Sequence, residues 1–145
     1  MKKVFIAYRY TGEPEEKLME MVARLKASLV SVGLEAICSF ESEDDFQKAG
    51  MNPGNIVEYM CRKLSEMDYL LAVVKTDDKS EGMLIEVGYR NALKDHKLTH
   101  PLFILAVKRG VYTHMRFMAN VVLEFEDLED LCVKISHLSF EDRNK

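Results

Sequence analysis

Short, mostly apolar runs alternate along the chain with longer stretches in which apolar residues recur every three or four positions. An apolar run is typical of a strand buried on both faces of a parallel sheet, and the longer spacing is typical of a helix packed on such a sheet. The most apolar run, residues 69–74, is predicted to be a central strand. The predicted strands cover residues 4–7, 34–40, 69–74, 102–107 and 120–125, and the predicted helices cover residues 14–32, 53–67, 80–96, 109–118 and 128–138.

Residues at the predicted helix ends support this division. Pro14 and Pro53 each stand in a first helical turn, where the missing backbone N–H does no harm. Asn52 can cap the helix that Pro53 begins, and Ser80 can cap the next one. Gly33 can end the first helix, because glycine readily adopts the left-handed conformation that follows many helices.

The alternation of strands and helices predicts right-handed crossovers and helices on both faces of a parallel sheet. We therefore predict an α/β fold, a doubly wound, flavodoxin-like or Rossmann-like sheet of five parallel strands. A single domain is expected over residues 1–138, with residues 139–145 as a frayed tail. In such sheets ligands bind outside the carboxyl ends of the strands, beside the point where the strand order reverses. This rule selects residues 8–12, 40–55 and 75–86 as candidate site segments.

Charge and composition narrow the possible partners of the 145-residue chain. Its net charge is -4, its pI is near 5.6, and its basic residues are interleaved with acids, so nucleic acid is not an expected partner. No apolar run approaches the roughly 20 residues of a membrane helix, and the run after Met1-Lys2-Lys3 is too short for a signal peptide. We expect a cytoplasmic protein without a membrane partner.

Cysteine and histidine patterns give no sign of disulfides or metal binding. The three cysteines are odd in number, widely spaced and set in apolar runs, which favours reduced, buried thiols. The four histidines show no ligand spacing, so no metal is predicted. The cysteines are Cys38, Cys61 and Cys132.

Glu86 is the strongest candidate for a reactive residue. It lies about a turn and a half into a helix that begins at the candidate crevice, and its neighbours Leu84, Ile85, Val87 and Leu93 are apolar. A carboxylate in such a setting is partly desolvated, and the free amides at the start of the helix can hold an anion or hydroxyl groups. The alternative is an ordinary ion pair with Arg90, one helical turn further on.

The segment around Glu86 resembles a known active site. Residues 77–89, Asp-Asp-Lys-Ser-Glu-Gly-Met-Leu-Ile-Glu-Val-Gly-Tyr, are similar to the active-site segment of the nucleoside 2-deoxyribosyltransferase family, which includes the 2'-deoxynucleoside 5'-monophosphate N-hydrolases. In both branches a glycine precedes the nucleophilic glutamate by four residues and another follows it by two, as Gly82 and Gly88 do here. The resemblance extends more weakly over the N-terminal two thirds of the chain.

This resemblance implies a reaction and its participants. Glu86 would attack the anomeric carbon of a deoxyribonucleoside and displace the base, and the resulting glycosyl ester would be resolved by another base or by water. The implied partner is a small-molecule nucleoside or nucleotide, with no cofactor. Relatives complete their sites across a subunit contact, so the resemblance also implies a homodimer or a larger homo-oligomer.

Two positions depart from the family pattern. The transferases carry an aspartate six residues before the glutamate, whereas this chain has Ser80, as the monophosphate hydrolases do. Both branches also carry an aspartate in the preceding helix, at the position that Met60 occupies here. Glu58 could replace it only with a different helix register. The resemblance therefore favours hydrolysis and leaves the general acid unidentified.

Substrate-binding residues are expected in the first loop and at the start of the Glu86 helix. Tyr8 and Arg9 follow the first strand and can line a pocket, stack a base or clamp a phosphate. Gly12 and Arg9 are similar to the glycine-rich loop with one arginine that the hydrolases have there. Ser80 and Gly82 are expected to bind phosphate or sugar near the helix N-terminus.

Two other interpretations stay open. The opening strand, the βα repeat and a glutamate on the helix after the third strand also resemble TIR-like domains, which act as interaction modules or cleave the nicotinamide bond of NAD through a glutamate. A diverged, inactive member of the deoxyribosyltransferase family is the third possibility, and Met60 is the residue that most favours it.

Overall fold

In the computed structural model the described residues are 1–9, 14–38, 50, 52–77 and 81–138. Within them, five strands form one parallel sheet in the order β2-β1-β3-β4-β5, which is the flavodoxin-like order. This confirms the predicted fold class. The strands are β1 (Lys2–Tyr8), β2 (Leu34–Cys38), β3 (Tyr69–Val74), β4 (Leu102–Lys108) and β5 (Val121–Phe125).

The helices cover both faces of the sheet. α1 packs with α4 on one face, and α2 packs with α3 on the other, as right-handed crossovers in this strand order require. All six residues of β3 are buried between the two layers, so the most apolar run is indeed a central strand. The α-helices in the described ranges are α1 (Glu15–Ser31), α2 (Pro53–Ser65), α3 (Glu81–Asp95) and α4 (Leu128–Ser136).

The helix ends follow the predicted signals. Pro14 lies one position before its predicted place in the first turn, as the N-cap residue of α1. Asn52 caps α2 as predicted, by accepting a hydrogen bond at Oδ1 from the Asn55 N–H, at 2.9 Å. Gly33 follows α1 with φ of 85°, a conformation that glycine adopts without the steric cost of a Cβ. Ser80, the predicted cap of α3, lies outside the described residues, as do residues 139–145.

The segment between β4 and β5 differs from its prediction. Instead of a helix over residues 109–118 it contains one 3-10 turn, His114–Phe117, which Thr113 caps by accepting the Met115 N–H at Oγ1, at 3.2 Å. Methionines at positions 115 and 118 have the three-residue spacing that a 3-10 turn also satisfies. The apolar spacing alone therefore overestimated the length of this element.

The cysteine prediction is correct for two of the three residues. Cys38 and Cys61 are buried free thiols, whereas Cys132 is only half-buried. Cys132 lies on α4, whose outer side is open to solvent, and its neighbour Val133 is exposed. No helix in the described ranges is long and apolar enough to cross a membrane.

The strand order reverses between β1 and β3, so the crevice of the fold lies at their carboxyl ends. Tyr8 pairs in register with Val73, and both strands therefore leave the sheet at the same level. At the opposite end, Asp68 Oδ2 accepts the Lys3 N–H at 2.8 Å and aligns the starts of the two strands. The register thus brings residues 8–9 and 75–77 to one edge of the sheet.

Candidate active site

Glu86 lies on the buried side of α3. The helix begins at Glu81, after the carboxyl end of β3, and Glu86 is about 7.5 Å further along its axis. Met83, Val87 and Arg90 share this side of the helix with Glu86 and are buried with it. At 8 % exposure, Glu86 is one of few charged residues in the described core.

The reason for this burial differs from the one that the sequence suggested. Leu84 and Ile85, two of the apolar neighbours, are 49 % and 48 % exposed and point away from the sheet. Residues three and four positions apart share a helix face, whereas adjacent residues do not. The apolar setting of Glu86 is therefore provided by Met83, Val87 and the elements packed beneath α3.

One oxygen of the Glu86 carboxyl is fully enclosed. Within the described part of the chain, Oε2 is inaccessible to solvent and has no hydrogen-bond partner. Burial raises the pKa of Glu86 from 4.5 to about 8, because the charged form loses its hydration. A carboxyl with such a pKa can exchange its proton near neutral pH, which is the property that acid, base and nucleophile roles require.

An ion pair between Glu86 and Arg90 is not formed. Arg90 is 1 % exposed, and it donates from Nε to the Pro101 carbonyl and from Nη2 to Asn120 Oδ1, both at 2.8 Å. Its guanidinium also lies 5.9 Å from the centre of the Phe103 ring. Arg90 therefore binds the amino ends of β4 and β5, and the alternative explanation for Glu86 is wrong.

Cys61, on α2, is electrostatically coupled to Glu86. Burial raises the pKa of the Cys61 thiol, and the negative charge of Glu86 raises it further. Only burial contributes to the raised pKa of Glu86 itself.

The two candidate positions for a general acid on α2 do not supply one. Met60 is buried in the hydrophobic core, and Glu58 is exposed to solvent. On the same helix, burial and then the charge of Glu86 raise the pKa of the Cys61 thiol. Sequence reasoning missed it because an isolated cysteine in an apolar run is far more often a packing residue.

The predicted binding residues are only partly described. Tyr8 is buried at the end of β1, and its hydroxyl donates to Cys38 Sγ at 3.7 Å, while Arg9 beside it is half-buried. Gly82 is half-buried at the second position of α3. Gly12 and Ser80 lie outside the described residues. The strand register brings Tyr8 and Arg9 to the edge where α3 begins, and the binding roles of all five stay predictions.

A groove lies beside α3 on the side away from α2. It has a volume of about 430 Å³ and is lined by Leu84, Val87 and Gly88 of α3 together with residues 112–115 and Met118. A Cβ added at Gly88 would meet nothing within 4 Å.

Comparison with known proteins shows that the fold is similar to that of two 2-deoxyribosyltransferases. The chain matches no protein-family model and no curated protein sequence. It is similar to the structure of a 2-deoxyribosyltransferase from the bacterium Bacillus psychrosaccharolyticus, with a TM-score of 0.62 and 14% identity over 95% of this chain and 93% of that one. It is also similar to a 2-deoxyribosyltransferase from Leishmania mexicana, with a TM-score of 0.64 and 10% identity over 96% and 100% of the two chains. At these identities the similarity establishes a shared fold.

Proposed function

We propose that the protein is an N-glycosidase or deoxyribosyltransferase-like enzyme that cleaves the N-glycosidic bond of a 2'-deoxynucleoside or its 5'-monophosphate, with Glu86 as the nucleophile. The observation that carries this proposal is the buried Glu86 carboxyl, whose Oε2 has no partner in the described chain, on the helix that begins beside the crevice. The fold shared with 2-deoxyribosyltransferases supports it at the level of architecture.

The proposed first step forms a covalent ester. The Glu86 carboxylate attacks the anomeric carbon, and a C–O bond forms as the C–N bond to the base breaks. The base leaves with the bonding electron pair and takes up a proton. An enclosed carboxylate suits this step, because its charge is poorly solvated and is neutralised as the ester forms.

The second step releases the sugar. Water attacks the anomeric carbon, the C–O bond to Glu86 breaks, and the carboxylate is regenerated while a proton passes to solvent. If a second base attacks instead, the same ester gives transfer. The resemblance of the Ser80 position to the hydrolases favours water as the acceptor.

The experiment is to incubate the protein separately with dAMP, dGMP, dCMP, the deoxynucleosides and NAD, and to follow the release of base or nicotinamide by chromatography. We expect release from a deoxynucleoside or a deoxynucleoside monophosphate, and loss of that release in Glu86→Gln. Glu58→Gln is the matched control, because Glu58 is an exposed glutamate on the adjacent helix. Mass spectrometry of acid-quenched enzyme should detect one deoxyribosyl group on the peptide that contains Glu86.

The other arms of the assay decide between interpretations. Addition of a second free base distinguishes transfer from hydrolysis, because only transfer yields a new nucleoside. Release of nicotinamide alone would favour the TIR-like alternative. Absence of release from every deoxynucleoside and monophosphate would refute the proposal.

We also propose that the outward face of α3 joins two copies of the chain in a homodimer. Leu84 and Ile85 are exposed there, and Gly88 and Ala92 continue the uncharged stripe toward the end of the helix. Phe117, 81 % exposed, follows two residues after Met115 in the segment that lines the groove. A second α3 could approach closely at Gly88, because nothing occupies the space where a side chain would stand.

Light scattering after size-exclusion chromatography tests the dimer. We expect a dimeric mass for the wild type and a monomeric mass for Leu84→Glu. Val133→Glu is the matched control, because Val133 has a similar exposure, 48 %, on a helix of the other face. A monomeric wild type, or dissociation by both substitutions alike, would contradict the assignment.

A further inference from the structure

A buried side-chain contact joins the carboxyl ends of β1 and β2. Tyr8 is the last residue of β1, and Cys38 is the last residue of β2. The Tyr8 hydroxyl donates a hydrogen bond to Cys38 Sγ, with 3.7 Å between the oxygen and the sulfur. Both side chains are almost completely buried, at 5 % and 1 % exposure. The contact therefore lies in the packed interior, at the edge of the sheet where the crevice is.

The strand register accounts for the direction of the Tyr8 side chain. Cys38 pairs with Ile6, which is two residues before Tyr8. Residues two apart on a strand lie on the same face of a sheet, so these three side chains share one face. The Tyr8 hydroxyl reaches from β1 to β2, whereas β3, which leads into the helix of Glu86, lies on the other side of β1. The hydroxyl is thus directed away from β3.

This contact does two things for the tyrosine. A buried tyrosine hydroxyl needs a hydrogen-bond partner, and the sulfur of Cys38 supplies one, although sulfur is a weak acceptor. The contact also restricts the ring, because the hydroxyl oxygen is rigidly joined to it. The ring of Tyr8 is therefore attached at its far end to β2, while its backbone ends β1 beside the crevice.

We propose that Cys38 is a positioning residue for Tyr8, and that its sulfur, by accepting the Tyr8 hydroxyl, holds the ring in place at the crevice edge of the sheet. Tyr8 then acts in substrate binding through the position of its ring, while its hydroxyl is engaged with β2. The importance of the contact for substrate rests on the proposed function. The contact itself does not, and can be measured in the protein without substrate.

The first test detects the contact without substrate. Carbon-13 labelling at the Cζ atom of tyrosine gives one resonance for each of the six tyrosines, and the resonance of Tyr8 is the one absent from Tyr8→Phe. Cys38→Ala removes the acceptor and should shift this resonance, whereas Cys38→Ser retains an acceptor and should return it toward the wild-type position. Cys132→Ala is the control, because Cys132 is a half-buried cysteine on α4, and it should leave the resonance unchanged.

The second test is steady-state kinetics with the deoxynucleoside or monophosphate that the protein cleaves. Tyr8→Phe and Cys38→Ala each remove one partner of the same hydrogen bond, so each should raise KM by about two- to tenfold with little change in kcat. The double variant should be no worse than either single variant, because the bond can be lost only once. Cys38→Ser should restore part of the loss. Cys38→Val, which fills the space of the thiol without an acceptor, replaces Cys38→Ala if the smaller side chain prevents folding.

The outcomes separate this proposal from the proposed function. A hydroxyl that acted directly on the substrate or on Glu86 would make Tyr8→Phe slow and leave Cys38→Ala active, and that pattern would overturn the proposal in an active enzyme. Additive effects in the double variant, or a Tyr8 resonance that does not shift in Cys38→Ala, would also overturn it. The predicted resonance shifts in a protein that cleaves no deoxynucleoside would support the positioning of Tyr8 and refute the glycosidase instead.

Discussion

Replacement of Glu86 by glutamine should change how the stability of the protein depends on pH. The substitution keeps the size of the side chain and removes the group that ionises. In the folded protein the pKa of Glu86 is raised to about 8, against an ordinary value of 4.5. Between these two pH values the folded chain holds a proton that the unfolded chain has already released.

The sign and size of the effect follow from this difference. Below pH 4.5 the carboxyl is neutral in both states and its contribution is fully present, and as pH rises to about 8 the free energy of unfolding of the wild type falls relative to that of Glu86→Gln. At about 1.36 kcal/mol per pKa unit, the loss over the whole window is at most about 5 kcal/mol. Above pH 8 the difference between the two proteins should become constant.

Urea unfolding followed by far-ultraviolet circular dichroism is the appropriate assay, since the chain contains no tryptophan. The urea concentrations at the unfolding midpoint are measured from pH 5 to 9 for wild type, Glu86→Gln and the exposed control Glu58→Gln. Their differences follow the differences in the free energy of unfolding between the proteins. The Glu58 variant should follow the wild type at every pH. If the wild type and Glu86→Gln gave parallel curves, the carboxyl would be solvated and the argument for its unusual reactivity would be refuted.

Three further predictions concern the site and its support. In the activity assay, kcat/KM should rise with pH up to about 8, the pKa of free Glu86, because attack requires the carboxylate; a rate that is constant from pH 6 to 9 would contradict this. Asn120→Ala should lower the free energy of unfolding by about 2 kcal/mol, since Asn120 Oδ1 accepts from both Arg90 and the Phe103 N–H, and urea unfolding would measure it. Gly88→Ala should stabilise the monomer by up to about 1 kcal/mol but weaken the dimer, so that thermal unfolding and light scattering should change in opposite directions.

Much of the fold could be predicted because the structure that each segment favours by its own residues is the structure that it adopts in the folded sheet. The run from Tyr69 to Val74 is apolar throughout, and a strand that is buried on both faces removes all of its side chains from water. Asn52 and Pro53 give a helix start that the structure reproduces at the same residue. The segment after β4 was harder to predict, because the spacing of Met115 and Met118 fits both an α-helix and the shorter 3-10 turn.

The site could be predicted only in part, because its geometry depends on contacts between distant elements. The sequence placed Glu86 on a helix beside the crevice, but it indicated burial through Leu84 and Ile85, which are exposed. The alternative interpretation paired Glu86 with Arg90, whose partners in the structure lie 11 and 30 residues away in the chain. The effect of the Glu86 charge on the pKa of Cys61 depends on how α2 packs against α3. The spacing of residues within either helix does not indicate how the two helices pack.

The attachment of Arg90 has a consequence for protein engineering. Through Pro101 and Asn120, this side chain ties α3 to the amino ends of β4 and β5, at the end of the sheet opposite the crevice. The part of α3 that carries Glu86 is thus anchored to the sheet through Arg90, one helical turn further along the helix. Substitutions at residues 75–77 that retain Arg90 and Asn120 should therefore leave the Glu86 side chain in its buried position.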